Sequence, residues 1–214
     1  MLDVMHPMGP LSFRGERPRT AMHIGANTGQ EFDAYRRFGF EQVTYVEPLP
    51  SAFQELERRI EGHAGHRAVQ ALCTASSGES VTLHVSNQQG LSSSVLELGN
   101  MTTLHPEIEY VEHLDLISTT VDAVVTTQLD GVGPELLILD TQGTEAEVLC
   151  GARKTLSGPT RFVFCEVSHQ PLYENGCEEA EVTAFLKELG FAMMFKLLNQ
   201  KGWGDAFYVR EADV

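Results

Sequence analysis

Apolar positions along this chain follow two alternating periods. Short, mostly apolar runs occupy residues 21–24, 43–46, 69–72, 81–85, 136–139 and 161–167. Between several of them, apolar residues recur every three or four positions instead. Side chains alternate faces in a strand and return about every 3.6 residues in a helix. The runs therefore predict strands, and the periodic stretches predict helices over 28–38, 51–60, 144–152 and 178–189. The last is the clearest: Val182, Phe185, Leu186 and Leu189 stand at i, i+3, i+4 and i+7, and Gly190 follows as a stop. Thr28 with Glu31, Ser51 with Gln54, and Thr144 with Glu147 have capping-box spacing at the other three starts. Phe53, Leu56 and Ile60 fall on one face of the second helix.

Strand alternating with helix predicts an α/β fold: a largely parallel sheet covered on both faces. The unbroken apolar run at 136–139 suits a central parallel strand. Residues 192–198 and 206–210 flank Gly202-Trp203-Gly204 and predict a terminal hairpin, which adds antiparallel character at one side. Residues 86–113 are polar, Ser-rich and irregular. A loop that long inside a compact domain is usually functional.

The length of 214 residues allows one good core rather than two. The expected organisation is an N-terminal arm, 1–19, and one domain, 20–214. The arm carries three prolines and three arginines but no apolar stretch of signal-peptide length. No apolar run approaches the roughly 20 residues of a membrane-spanning helix. The formal net charge of −15 disfavours nucleic acid and anionic membranes as partners, because both are bound through surplus Lys and Arg. A neutral or cationic small substrate suits this charge better. Cys73, Cys150, Cys165 and Cys177 form no CxxC pair, so no zinc site is expected and free thiols suit a reducing cytoplasm. Self-association is left open, as no decisive interface stripe stands out.

The strongest local signal is His23-Ile24-Gly25-Ala26-Asn27-Thr28-Gly29-Gln30, after a predicted strand and opening a predicted helix. Glycines there let the backbone turn sharply and approach a ligand closely. A helix start adds unpaired N–H groups for a phosphate or carboxylate. The spacing is GxxxG rather than the GxGxxG of dinucleotide binding, and a plain tight turn is the ordinary alternative. Glu47 ends the second strand, about 20 residues beyond the turn, where an acid meets a ribose in such folds. Ligands of these sheets bind at the carboxyl ends of strands. This points to the neighbourhood of Leu72 and to the segments 140–143 and 166–169.

Four stretches give the chain a family resemblance. They are His23 to Gly29; Val46-Glu47-Pro48-Leu49-Pro50-Ser51-Ala52-Phe53; Leu139 to Leu149 with Gly151-Ala152; and Glu166-Val167-Ser168 followed by Leu172-Tyr173. Together they resemble the FkbM family of methyltransferases. The resemblance implies a Rossmann-like class I methyltransferase fold with seven strands, the last antiparallel. It implies S-adenosylmethionine as cofactor, held by His23, Gly25, Ala26, Asn27, Thr28, Gly29, Glu47, Pro48, Leu72 and Asp140. It also implies O-methylation of a sugar, polyketide or similar hydroxyl compound. His23 stands where the family carries an Asp that helps hold the methionine end.

Methyl transfer to an alcohol benefits from a positioned general base. Asp140, after the central strand, is the first candidate; its ordinary alternative is capping the turn before the next helix. Glu166 ends an apolar strand, where an uncompensated charge is costly, so a partner is expected. His169, just beyond, is the histidine best placed for a base near neutral pH. Asp140 and Glu166 are too few to define a divalent-metal site, and none is predicted. Asn87 and Ser93 in the long loop, with Gln142, are the candidates for the acceptor side; the resemblance adds Glu145, whose ordinary alternative is an acid favoured by the dipole at a helix start. Two other readings remain at this point. An NAD-dependent oxidoreductase would use the same fold and Glu47, and a non-catalytic cofactor-binding module would fit the substitution at His23.

Overall fold

A computed structural model describes residues 17–211. Most of the predicted N-terminal arm lies outside the described residues. Among them, no helix is long and apolar enough to cross a membrane. The chain runs β1 (Thr20–Ile24), α1 (Phe32–Phe38), β2 (Gln42–Val46), α2 (Pro50–Ile60), β3 (His66–Val69), β4 (Leu72–Cys73), β5 (Ser80–Ser86) and α3 (Met101–Leu104). It continues through β6 (Tyr110–Thr119), α4 (Val121–Gln128), β7 (Leu136–Leu139), α5 (Glu145–Cys150), α6 (Arg153–Ser157), β8 (Phe162–Ser168), α7 (Glu179–Glu188), β9 (Phe191–Leu198) and β10 (Trp203–Arg210).

Seven strands form one sheet in the order β3-β2-β1-β7-β8-β10-β9. Every pair is parallel except those of β10, which runs antiparallel to both neighbours. This is the expected mostly parallel sheet with an antiparallel last strand, and that strand sits inside the sheet rather than at its edge. Alternation divides the central strands between two cores. Met22, Ile24, Leu137, Leu139, Val163 and Cys165 pack under α4 to α7. Ala21, Ile138, Phe162, Phe164, Phe207 and Val209 face the other way, with Phe32 and Tyr35 of α1 and Leu56 and Ile60 of α2 in the same cluster.

A smaller sheet, β4-β6-β5, pairs β6 parallel to β4 and antiparallel to β5. Leu83 and Val85 of β5 pack on Leu49 and Ala52 at the start of α2. The small sheet thereby stands at the ligand-binding end of the large one.

Several expectations needed correction. The predicted strand 69–72 is two strands in different sheets. The predicted loop 86–113 contains α3 and the first residues of β6, so the irregular stretch is shorter. Sequence reading missed β6 because its outer residues, Val111, His113, Asp115 and Ile117, are exposed and mix polar with apolar types. None of the three expected capping boxes forms: α1, α2 and α5 start without a side-chain cap. In place of Ser51, Pro50 opens α2; its missing N–H costs nothing at a first helical position. α1 begins at Phe32 rather than Thr28, and Glu31 turns inward, only 5% exposed.

Candidate active site

The turn after β1 is built by backbone exchange. Gly25 N and Ala26 N both donate to Val46 O, and Asp140 N donates to Ile24 O. The ladders thus carry past the strand ends and fix three turns side by side. A cavity of about 480 Å³ opens over these ends and over the start of β10. Part of its wall comes from residues 88–95 and from Met101, His105 and Ile108, in the stretch between β5 and β6.

Glu47 sits at the β2 end of the cavity. Its Oε2 accepts from Asn27 N at 2.7 Å and its Oε1 from Leu49 N at 2.8 Å. Each carboxylate oxygen has a second lone pair for another donor. Burial pushes its pKa up to about 7, against the two amide hydrogen bonds that favour the charged form.

His23 is buried on β1. Its Nδ1 lies 3.0 Å from Tyr35 Oη and 4.0 Å from Glu31 Oε2. Burial pulls its pKa below the usual histidine value, opposed by Glu31. The ring is therefore neutral near pH 7 and the Glu31 contact is no ion pair. Nε2 is buried with no partner and belongs to a residue lining the cavity. Tyr35→Phe removes the partner of Nδ1. We expect a loss of about 1–3 kcal/mol, the cost of orphaning a buried polar atom, read by urea unfolding. An unchanged midpoint would show that the ring is satisfied elsewhere.

The β7 and β8 ends carry a second polar group. Gln142 has φ +56. Its Nε2 donates to Asp140 Oδ1 and, at 3.2 Å, to Glu166 Oε2, while its Oε1 accepts from Tyr173 Oη at 2.7 Å. Ser94 Oγ donates to Gln142 O at 2.8 Å and ties the 88–95 wall to this turn. Burial pushes Asp140 up to about 8; the Gln142 hydrogen bond opposes this, and Glu145, Asp205 and Glu31 add to it. Glu166 is held well above the carboxylate range by burial and then by Asp140.

Other expected site residues fall elsewhere. His169 is exposed and lies 3.2 Å from Glu179, outside the cavity wall, because β8 has already passed the cleft there. Glu145 is buried behind the turn, where it accepts from Thr141 N and Gly143 N, so loop closure occupies it. Asn87 bonds Glu107 O and Glu109 N and braces the loop from outside. Thr28 and Gly29 are not part of the wall; Gly25, Ala26, Asn27, Pro48, Leu72 and Ser93 are. Among the described residues, no group of three or more His, Cys, Asp or Glu is arranged to hold a metal ion.

Sequence reading missed Glu31, Trp203 and Asp205, which all line the cavity. Asp205 pairs directly opposite Glu166 across β8 and β10. Burial raises its pKa to about 6. The available signal was one acid two positions before Phe207 in an otherwise apolar strand.

A model of the methyltransferase FkbM domain matches residues 23–193. No curated protein matches the sequence significantly. Among solved structures, methyltransferase FkbM from Methylobacillus flagellatus KT superposes with a TM-score of 0.58 at 13% identity, over 90% of this chain and 43% of that one. This chain thus spans less than half the length of that protein. Magnesium protoporphyrin IX methyltransferase from Synechocystis PCC 6803, solved with S-adenosylmethionine bound, gives 0.53 at 12% identity, over 98% and 76%. At these identities the likeness shows the fold, a Rossmann-like class I methyltransferase fold. With the family match covering both the Gly25 turn and the Asp140 turn, the chain belongs to the methyltransferase FkbM family.

Proposed function

We propose that this chain transfers a methyl group from S-adenosylmethionine to a hydroxyl of a small molecule, a sugar or natural product. The observation that carries this reading is one cavity joining two chemistries. Glu47, with free lone pairs, lies at its β2 end, and the Asp140–Gln142–Glu166 group lies at its β7 and β8 ends. The residues fit the cofactor. Glu47 would accept from the two ribose hydroxyls. The Gly25 turn lets a ligand reach the backbone, and the unpartnered His23 Nε2 would meet the amino-acid end. Leu72 and Pro48 supply apolar wall for an adenine.

When bound, the cofactor supplies an electrophilic methyl carbon on a sulfonium sulfur. The residues of the chain position the acceptor in line and exclude water, which is worth several kcal/mol. Asp140 takes the hydroxyl proton as the oxygen forms its bond to the methyl carbon. The cofactor, when bound, would leave as S-adenosylhomocysteine, its sulfur keeping the electron pair of the carbon–sulfur bond, and the product would be an ether. Gln142 holds the Asp140 carboxylate in place, and Tyr173 and Ser94 hold Gln142.

Calorimetric titration with S-adenosylhomocysteine and with NAD tests this reading. Saturable binding of the former only, weakened at least tenfold in Glu47→Ala, is the expected result; a lost pair of charge-assisted hydrogen bonds costs on that order. Binding of NAD instead would favour an oxidoreductase. Binding without any acceptor-dependent turnover would favour a non-catalytic module.

A further inference from the structure

The alternation that separates the two cores also aligns the polar residues of the cavity. Extending the Ala21, Ile138, Phe164 and Phe207 face by two residues toward the cleft reaches His23, Asp140, Glu166 and Asp205. They lie on β1, directly after β7, and on β8 and β10, and these strands are consecutive in the sheet. A row of polar side chains thus continues one apolar face across four neighbouring strands. Trp203 extends it along β10, two residues before Asp205.

This row has an unbalanced composition. The cavity takes five carboxyl groups, from Glu31, Glu47, Asp140, Glu166 and Asp205, and no Lys or Arg side chain among the described residues. Among the described residues the Asp205 carboxylate, in a residue 7% exposed, accepts no hydrogen bond, and the Glu166 carboxylate accepts only from Gln142. Carboxyl groups buried at this density stay protonated unless a cation meets them, and a cationic ligand would let them ionise. His23, which would meet the cofactor's amino-acid end, is on β1, three strands from Asp205. Neighbouring strands are about 4.8 Å apart, so β10 stands roughly 14 Å from β1. A second observation is independent of the acids: Trp203 Nε1 is buried with no partner, a donor that can be satisfied only by an acceptor oxygen. A ligand that answers both demands presents an ammonium group and a hydroxyl or ring oxygen close together.

We propose that the acceptor is an amino sugar or comparable amino alcohol, its ammonium group held between Glu166 and Asp205 and an oxygen of the same molecule accepting from Trp203. The hydroxyl to be methylated then lies at Asp140, on the next strand. This rests on the methyltransferase reading above and narrows it. It disfavours phosphorylated and carboxylated acceptors, for which the wall offers no cationic side chain.

The test is calorimetry in phosphate buffer at pH 6.5 with glucosamine and glucose as probes, each with and without saturating S-adenosylhomocysteine. The expected result is that glucosamine binds at least tenfold more tightly than glucose. In Asp205→Asn, shown folded by its melting curve, the ratio falls to within about threefold. Trp203→Phe weakens both sugars and keeps the ratio. Equal or undetectable binding of the two sugars, or a preference that survives in folded Asp205→Asn, overturns the amine assignment while S-adenosylhomocysteine binding leaves the methyltransferase reading standing. Failure of S-adenosylhomocysteine to bind overturns that reading, and with it the assignment of the amine to an acceptor.

Discussion

Asp140→Asn is expected to stabilise the protein without ligands at pH 8 and to lower kcat by two to four orders of magnitude, the usual contribution of a general base. Both effects come from the same burial. Burial raises the Asp140 pKa from 3.8 to about 8. A carboxyl whose folded pKa is raised contributes stability fully present below its unfolded value. That stability is lost as pH rises through the folded value. Between about pH 4 and pH 8 the unfolded chain ionises at this position while the folded carboxyl keeps its proton, so stability falls across that window. Asn keeps an oxygen for Gln142 Nε2 and never ionises. We expect the variant to gain about 1–3 kcal/mol at pH 8 and little at pH 4, a rise in Tm on the order of 3–8 °C at the higher pH. Melting curves of both proteins across this range check the sign. In wild type, kcat/KM should climb through pH 8 as the base form appears, and a profile flat from pH 6 to 9 would remove Asp140 as the base.

This opposition between stability and chemistry also explains what could be read from the sequence. The run 136–139 and the amphipathic 178–189 stretch were legible because their residues satisfy one simple demand, to bury an apolar face. Glu47 was legible because the spacing from the Gly25 turn is fixed by one strand–helix–strand unit. Glu31 was misread because its distance from Thr28 matches a capping box, while the fold uses it beside His23 instead. Glu145 was placed on the acceptor side, but the tight turn at Gln142 and Gly143 consumes its carboxylate. Asp205 and Trp203 were missed for a different reason. Their role depends on β10 inserting between β8 and β9, and no local pattern encodes that pairing. His169 was expected in the cleft on sequence proximity to Glu166, yet three residues of extended strand carry it past the rim.

Gly25→Ala is expected to destabilise the protein by more than about 3 kcal/mol and to weaken S-adenosylhomocysteine binding at least tenfold. Gly25 has φ +80, and a Cβ there would stand 1.9 Å from the backbone oxygen of Asp140. Relief would require moving β7's end away from β1, which breaks the Asp140 N to Ile24 O bond and shifts the Asp140 carboxyl within the cavity. Gly39 separates this effect from the backbone conformation alone. Its φ is +79, and a Cβ there would meet nothing within 4 Å. Gly39→Ala should therefore cost only the left-handed penalty, about 1–2 kcal/mol, and leave ligand affinity unchanged. Urea unfolding and calorimetry on the pair measure the difference. If the two variants behaved alike, the contact between the Gly25 and Asp140 turns would carry no weight. A larger loss at Gly25, in both stability and affinity, would establish that the cofactor turn and the candidate base are set by one shared backbone contact.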